Sequence, residues 1–158
     1  KNLNINDKII IESLNKFKGL PHRQEIVFSG KKLLCINDSK ATNLHALEAA
    51  LLSQDRPTIL IAGGKEKGLD YEPLLPHLEK SVETAVVFGE IRDRLAAIFS
   101  QAVTTRVAES LEEAVGIARH AAPHGSTILF SPGTSSFDMF SGYEERGDSF
   151  RATVQALK

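Results

Sequence analysis

The sequence predicts an α/β fold in which a mostly parallel sheet carries helices on both faces. Three almost continuously apolar runs, Thr58–Ala62, Thr84–Phe88 and Ser126–Phe130, have the length of strands. Segments with helical apolar spacing alternate with these runs, and two shorter apolar runs flank Ser29-Gly30-Lys31. A strand without polar alternation is buried on both faces, which requires helices on both sides of a parallel sheet. The two shorter runs add an antiparallel hairpin strand near the N-terminus.

Local spacing divides the first half of the chain into elements. Apolar residues at positions i, i+4 and i+7 predict helices. Thr or Asn before such a stripe is typical of an N-cap, and Gly-Leu-Pro or Gly-Gly ends an element. These signals predict a helix over residues 6–17 with the stripe Ile10, Leu14 and Phe17, a hairpin of Glu25–Phe28 and Lys32–Ile36, a helix with the stripe Leu44, Leu47 and Leu51 capped by Thr42 or Asn43, and a strand at Thr58–Ala62.

The second half continues the alternation of helix and strand. Pro73 and Pro76 leave the start of one helix open, whereas Ser110-Leu111-Glu112-Glu113 is a capping box that fixes the start of another. In chain order we predict a helix at Tyr71–Lys80, a strand at Thr84–Phe88, a helix over residues 90–99, a strand at Ala102–Ala108, a helix after Ser110, a strand at Ser126–Phe130, and a closing helix with the stripe Phe150, Val154 and Leu157.

Composition and charge restrict the class of protein. The chain has 158 residues, 42% of them hydrophobic, with 19 Lys and Arg against 20 Asp and Glu. This predicts one domain with a sizeable core and excludes a disordered chain. The near-neutral balance predicts no nucleic-acid partner and no membrane partner, and no stretch reaches the roughly 20 apolar residues that span a bilayer.

The first residue and the sparse Cys and His residues give three further expectations. The chain begins at Lys1 and its only methionine is Met139, so we expect a piece of a longer protein. Cys35 lies in an apolar run, which favours a buried strand residue over a reactive thiol. The five histidines do not pair at metal-ligand spacings with each other or with Cys35, so we expect no metal site built from them.

Three polar loops follow predicted strands, at Asn37–Asn43, Gly63–Asp70 and Ser131–Gly147. Ligands of open parallel sheets bind beyond the carboxyl ends of the strands, so these loops are the candidate site. In the first loop, Lys40 beside the backbone donors of a helix start suits an anion such as phosphate or carboxylate. An ordinary capped helix entry is an equal alternative for the same loop.

The second loop and the segment before the hairpin each allow two interpretations. Gly63-Gly64-Lys65-Glu66-Lys67-Gly68 is neither a P-loop nor a dinucleotide fingerprint. It predicts a plain loop or a close approach of backbone to a ligand. Arg23, which follows Gly19-Leu20-Pro21-His22, either forms a surface ion pair or faces phosphate oxygens.

The third loop combines small hydroxyl residues with aromatic ones. Ser135 and Ser136 suit a cradle for a carboxylate, while Phe137 and Phe140 are predicted to pack into the core. A G-x-S-x-G elbow is absent from the sequence, so a hydrolase nucleophile is not expected.

Four strings from these regions occur in a specific order and spacing. They are Phe17-Lys18-Gly19-Leu20-Pro21-His22-Arg23, then Asn37-Asp38-Ser39-Lys40-Ala41-Thr42-Asn43, then Gly63-Gly64 with Lys67-Gly68, then Ser131-Pro132 with Ser136-Phe137-Asp138-Met139-Phe140 and Glu145-Arg146-Gly147. In this arrangement they resemble the C-terminal domain of the Mur ligases, and the resemblance covers the chain from about residue 6 on.

The resemblance implies a Rossmann-like domain of a cytoplasmic, three-domain ligase. Residues 1–5 would end a linker from a central domain, and residues 6–158 would be the C-terminal, amino-acid-binding domain. The motifs are most similar to members that use ATP to join D-glutamate to UDP-N-acetylmuramoyl-L-alanine through an acyl phosphate, a step of peptidoglycan synthesis. ATP and Mg²⁺ would be bound mainly by the central domain, so the isolated chain is expected to be inactive.

The resemblance also implies which residues contact the ligands. It implies no catalytic residue and no metal-binding residue in this chain. Two departures from the family pattern stand out. Glu66 replaces a common Asp, and Tyr143 replaces a common Phe in a main-chain role, so both changes are predicted to be tolerated. The implied contacts are Arg23, Asp38 and Lys40 with the nucleotide, Thr42 and Lys67 with one D-glutamate carboxylate, and Ser136 and the Tyr143 backbone N–H with the other.

Two other functions stay open on the sequence. One is a related ligase that adds another amino acid, such as a diamino acid or the glutamate of folates. The other is a stand-alone Rossmann-like module that binds a small molecule. Ser136-Phe137-Asp138 and the two lysine positions favour D-glutamate.

Overall fold

The computed structural model describes residues 5–17 and 19–156, and six strands form one sheet. The strands are β1 (Glu25–Ser29), β2 (Leu33–Asn37), β3 (Thr58–Gly63), β4 (Val82–Phe88), β5 (Thr104–Val107) and β6 (Ser126–Phe130). Their order is β1-β2-β6-β3-β4-β5, with β1 antiparallel to β2 and the other neighbours parallel. The predicted α/β fold and its antiparallel hairpin are confirmed.

The helices lie at the predicted positions with small changes of boundary. They are α1 (Asp7–Lys16), α2 (Leu44–Leu52), a 3-10 turn at Glu72–Leu74, α3 (Leu75–Ser81), α4 (Arg92–Phe99), α5 (Leu111–Ala121) and α6 (Tyr143–Ala156). Asn43, not Thr42, caps α2, since its Oδ1 accepts from the Ala46 N–H at 2.9 Å. The predicted stripe residue Leu157 lies outside the described residues.

Two helices differ from the prediction. The segment predicted as one helix from Tyr71 to Lys80 is a 3-10 turn followed by α3, with Pro73 and Pro76 in the first turns of the two pieces. Proline lacks an N–H and fits only a helix start, so each proline begins its own piece. The closing helix begins at Tyr143, and residues 143–147, which the sequence placed in a loop, are therefore helical.

The core has two halves, one on each face of the sheet. In β3, Leu60 and Ala62 face a cluster that includes α2, α3 and α4, whereas Ile59 and Ile61 face one that includes α5 and α6. Alternate residues of one strand are thus buried on opposite sides, as the absence of polar alternation predicted. Cys35 belongs to the second cluster with 2% exposure, and burial raises the pKa of its thiol to about 11, which confirms the buried strand residue.

Helix α1 stands apart from this core. None of its residues is buried, and Ile9, Ile11 and Leu14 are more than half exposed. Its start is nevertheless well defined, because the Asn6 side chain accepts from the Lys8 N–H at 2.9 Å. Within residues 5–17 and 19–156, no helix has the length and apolar character needed to cross a bilayer.

The strand order brings the three candidate loops together. β6 lies between β2 and β3, so the carboxyl ends of these three parallel strands are neighbours. Backbone bonds join the loops where they leave the sheet. Asp38 N donates to the Phe130 carbonyl at 2.8 Å, and Gly63 N donates to the Pro132 carbonyl at 3.1 Å. The loops at 37–43, 131–142 and 63–70 therefore form one surface at the carboxyl edge of the sheet.

Candidate functional site

A buried arginine at the start of α6 holds two of these loops together. Arg146 is 0% exposed, and its Nε donates to Ser39 Oγ at 3.0 Å while Nη2 donates to the Ser39 carbonyl at 2.8 Å. Both terminal nitrogens also donate to the Thr134 carbonyl at 3.1 Å. All these acceptors are neutral, and burial lowers the pKa of Arg146 to about 10, so the side chain stays cationic at neutral pH.

Two consecutive glycines, Gly63 at the end of β3 and Gly64 after it, serve contacts within the protein. Lys65 N donates to the Ser135 carbonyl at 2.9 Å, and Thr134 Oγ1 donates to the Lys65 carbonyl at 2.7 Å. Gly64 has φ +139°, and a Cβ on it would lie 2.4 Å from the Ser135 oxygen. Gly64 thus approaches the neighbouring loop closely, and the predicted approach of this backbone to a ligand stays a prediction.

A second group of buried contacts, around His22, fixes the segment before the hairpin. His22 is 6% exposed, and its Nδ1 accepts from Asn37 Nδ2 at 3.2 Å. Its carbonyl accepts from the Lys40 N–H at 2.9 Å. A Cβ on Gly147 would lie only 2.2 Å from His22 Nδ1, so this helix position requires glycine. These contacts of His22 place the neighbouring Arg23 beside the first loop.

The three residues expected to contact a nucleotide line one cleft. Arg23, Asp38 and Lys40 surround a cavity of about 270 Å³ whose remaining wall includes alanines of α2. Arg23 is exposed and Lys40 is half-buried, so two cationic side chains border a small apolar surface. The structure thus brings this predicted set together.

Asp38 has structural bonds inside that cleft. Its Oδ1 accepts from the Gln24 N–H at 3.1 Å, and its Oδ2 accepts from Ser131 Oγ at 2.9 Å. Burial raises the pKa of its carboxyl, against the lowering effect of these bonds and of nearby Arg23. Each carboxylate oxygen has a second lone pair, so the predicted bonds to ribose hydroxyls are compatible with this arrangement.

Two of the four residues expected to hold D-glutamate are also adjacent. Lys67 Nζ lies 3.4 Å from the Thr42 carbonyl and donates to it, although the two residues belong to different loops. Thr42 is half-buried and Lys67 is exposed. Because Asn43 is the helix cap, the Thr42 hydroxyl is not used for capping. The pair offers an ammonium group and a hydroxyl on one surface.

The other two residues lie at the end of the third loop. Ser136 is 2% exposed, and its carbonyl accepts from Phe140 N at 2.9 Å. Tyr143 is the first residue of α6, so its N–H is one of the amides that lack an acceptor within the helix. The Ser136 hydroxyl and this amide are the two donors predicted for the second carboxylate.

One prediction about this loop is wrong. Phe137 is 67% exposed and does not pack into the core. Phe140, by contrast, is half-buried and packs against the core cluster of α5 and α6. The two rings differ because the turn closed on the Ser136 carbonyl reverses the chain between them, and only one ring then faces the sheet.

The Tyr143 side chain connects the residues predicted for the nucleotide with those predicted for D-glutamate. The sequence predicted a role for the Tyr143 backbone N–H but none for its side chain. Lys40 Nζ donates to the Tyr143 hydroxyl at 3.0 Å and lies 4.8 Å from the ring centroid. Ser39 Oγ donates to the Tyr143 carbonyl at 2.8 Å. A phenylalanine at this position keeps the ring contact but loses the bond to the ammonium group.

Replacing Tyr143 by phenylalanine is therefore expected to lower the free energy of unfolding by about 1 kcal/mol, the net value of one hydrogen bond. Urea unfolding of the chain measures this change. The matched control is Tyr71→Phe, because the buried Tyr71 hydroxyl has no hydrogen-bond partner among the described residues. Its removal is expected to be neutral or slightly stabilising. An equal loss of unfolding free energy in the two variants would contradict a stabilising bond between Lys40 and the Tyr143 hydroxyl.

Among residues 5–17 and 19–156, no group of three or more His, Cys, Asp or Glu side chains is arranged to hold a metal ion. The predicted site residues at the carboxyl edge include the cations Arg23, Lys40 and Lys67, which suit an anionic ligand.

The sequence also matches a known protein family. The family model for "Mur ligase, glutamate ligase domain" matches residues 22–133, the greater part of the chain. The chain belongs to this Mur ligase family. The matched span begins at the buried His22 and ends in the loop after β6, so it includes the whole sheet and the first two candidate loops.

Three curated relatives of this Mur ligase domain carry the name UDP-N-acetylmuramoylalanine–D-glutamate ligase. The protein from Pelodictyon phaeoclathratiforme is 42% identical over 98% of the chain, which covers 33% of the relative. The protein from Salinibacter ruber is 44% identical over 98% of the chain and is covered to 34%. That from Citrifermentans bemidjiense is 46% identical over 93% and is covered to 32%. The chain spans about a third of the length of the curated relatives it matches.

Solved structures of Mur ligases and folate ligases share the fold. A UDP-N-acetylmuramate-alanine ligase from Thermotoga maritima has a TM-score of 0.63 at 16% identity, with 94% of this chain and 33% of that chain aligned. A bifunctional folylpolyglutamate synthase/dihydrofolate synthase from Yersinia pestis has a TM-score of 0.65 at 20% identity, with 95% and 35% aligned. At these identities the likeness concerns the fold alone.

Proposed function

We propose that residues 6–158 are the C-terminal domain of a cytoplasmic, ATP-dependent ligase that adds D-glutamate to UDP-N-acetylmuramoyl-L-alanine in peptidoglycan precursor synthesis. The observation that carries this proposal is the convergence of the two residue sets at one edge of the sheet, joined by the Lys40–Tyr143 bond. The shared name of relatives that are 42–46% identical supports D-glutamate as the amino acid.

The proposed reaction has two steps. The substrate carboxylate attacks the γ-phosphorus of ATP, which gives an acyl phosphate and ADP. The amine of D-glutamate then attacks the carbonyl carbon of the acyl phosphate, and the tetrahedral intermediate collapses with loss of phosphate and a proton. This chemistry depends on positioning and on neutralisation of negative charge more than on covalent catalysis by the protein.

The chain supplies positive charge and donors for both anionic substrates. Arg23 and Lys40 would balance the charge of the nucleotide phosphates, with Asp38 at the ribose. D-glutamate has two carboxylates and one reacting amine, so its site has to fix both carboxylates with donors and leave the nitrogen free. The donors proposed for this are Thr42, Lys67, Ser136 and the Tyr143 N–H.

Two further features, the buried Arg146 and the amino end of α6, contribute to the preference of the site for anions. The buried Arg146 guanidinium is bonded to neutral acceptors alone and keeps its charge at neutral pH. The amino end of α6 also carries a partial positive charge, which favours a carboxylate near Tyr143. Both effects favour the second carboxylate of D-glutamate near Tyr143, and they act against the negative charges of Asp138, Glu144 and Glu145.

The other parts of the site would come from outside this chain. We place the P-loop, the Mg²⁺ ligands and the UDP-sugar site in the protein's own central and N-terminal domains, with residues 1–5 as the end of a linker. No step attributed to this chain involves Mg²⁺. The chain by itself is therefore expected to lack ligase activity.

An amino-acid specificity assay tests the proposal. The full-length protein is supplied with ATP, Mg²⁺ and UDP-N-acetylmuramoyl-L-alanine, and phosphate release is measured with D-glutamate, L-glutamate or meso-diaminopimelate. Only D-glutamate is expected to support turnover, and the 158-residue chain is expected to release no phosphate in the same assay. Turnover with another amino acid would favour the related ligases, and no turnover with any would favour a stand-alone binding module.

A further inference from the structure

The position of Lys67 depends on a short exposed loop with its own internal bonds. Lys67 extends from the segment between Gly64 and Leu69, and its Nζ reaches the Thr42 carbonyl at 3.4 Å. A lysine side chain is flexible, so a free loop would leave the ammonium group spread over many positions. The residues that fix this loop therefore decide how well Lys67 is placed for a ligand.

Glu66 forms the inner part of the loop. Its Oε1 accepts from the Lys67 N–H at 2.8 Å and from the Gly68 N–H at 2.6 Å. The bond from Gly68 is the largest of the effects that lower the pKa of this carboxyl, and Arg94 lowers it further. The carboxylate is thus charged at neutral pH and closes a tight turn around the Lys67 backbone.

Arg94, on α4, forms the outer part. Its Nη1 lies 3.0 Å from Glu66 Oε1 and 3.1 Å from Oε2, and its Nη2 donates to the Leu69 carbonyl at 2.7 Å. One planar guanidinium group therefore bonds the residues on both sides of Lys67 and Gly68. An ammonium group cannot reproduce this pair of directions, since only the guanidinium presents a rigid fork of donors.

We propose that Arg94 is a positioning residue that holds Glu66 and Leu69 so that Lys67 is preorganised for a substrate carboxylate. This inference rests on the proposed function for the identity of that substrate. Arg94 itself touches neither substrate. Its loss lets the loop sample other conformations, and the affinity for D-glutamate falls because ordering of the loop is then included in binding.

The test compares Arg94→Gln, Arg94→Lys and Arg92→Gln in the full-length protein. Arg92 is a matched control, because it lies on the same helix but pairs with Glu109 at 3.1 Å, away from the loop. Arg94→Gln is expected to raise the KM for D-glutamate about tenfold, with kcat and the KM for ATP changed less than twofold. Arg94→Lys is expected to give an intermediate KM, and Arg92→Gln an unchanged one.

A second readout does not depend on turnover. In the 158-residue chain, water-exchange NMR of the Lys67 and Gly68 amides reports the bonds to Glu66 directly. Exchange is expected to be several-fold faster in Arg94→Gln and unchanged in Arg92→Gln, with the same circular dichroism in all variants.

The two readouts separate failure of the inference from failure of the proposed function. An active enzyme whose KM for D-glutamate is unaffected by Arg94→Gln would overturn the positioning role. Unchanged amide exchange would do the same, whatever the enzyme's substrate. A wild-type protein that does not use D-glutamate would instead refute the proposed function, and the amide exchange would still report the role of Arg94 in the loop.

Discussion

Replacing Arg146 by methionine is expected to lower the free energy of unfolding by about 3–5 kcal/mol. Methionine keeps the apolar stem but is shorter, so the loss comprises the hydrogen bonds to Ser39 and Thr134 and the space that the buried guanidinium group fills. Their carbonyl oxygens would remain buried without a donor, at about 1–3 kcal/mol each. Urea unfolding followed by circular dichroism measures the change, with an unchanged m value if the compactness of both states is preserved.

The control for this variant is Arg106→Met. Arg106 lies on the edge strand β5 and is exposed, so its replacement is expected to change the free energy of unfolding by less than about 0.5 kcal/mol. A midpoint for Arg146→Met equal to that of the control would show that the buried guanidinium does not stabilise the loops.

Replacing Lys67 by methionine is expected to raise the KM for D-glutamate about 100-fold in the full-length protein. The ammonium group is the cation proposed to bind one carboxylate, and methionine keeps most of the side-chain length while removing its charge. Removal of one charge-assisted contact to a substrate has an effect of this order. Steady-state kinetics with D-glutamate as the varied substrate measure it.

Lys65→Met is the matched control for Lys67→Met. Lys65 lies two residues earlier, and its Nζ is 3.8 Å from a Glu90 carboxylate oxygen on the surface. Its replacement is expected to alter the KM by less than twofold, since exposed ion pairs of this kind contribute little. Equal effects of the two variants would point to a general loss of positive charge and against a specific contact of Lys67.

The sheet and the location of the site could be predicted from the sequence because both follow from local patterns. Thr58–Ala62 and Ser126–Phe130 lack polar alternation, which identifies strands buried on both faces. The polar loops after such strands then mark the carboxyl edge of the sheet. The strand order itself has no local signal, so the convergence of the loops is a finding of the structure.

The contacts that organise the site could not be predicted, because they join distant parts of the chain. Arg146 and Ser39 are 107 residues apart, and Lys40 and Tyr143 are 103 apart. The strings Pro21-His22-Arg23 and Glu145-Arg146-Gly147 marked these positions as part of a family pattern without giving a physical reason. The reason is tertiary, since His22 packs directly on Gly147.

The place of β6 has a consequence for the order in which the domain folds. β2 and β3 follow each other in the chain, yet β6 separates them in the sheet. On the ribosome, the nascent chain therefore has two unpaired parallel edges until Ser126–Phe130 emerges, and such edges favour association with other chains. Insertion of β6 joins the two halves of the sheet and delivers the loop that receives Arg146. The sheet is thus joined only when β6 is added, and the ligand-binding edge is completed afterwards by Tyr143 and Arg146 of α6.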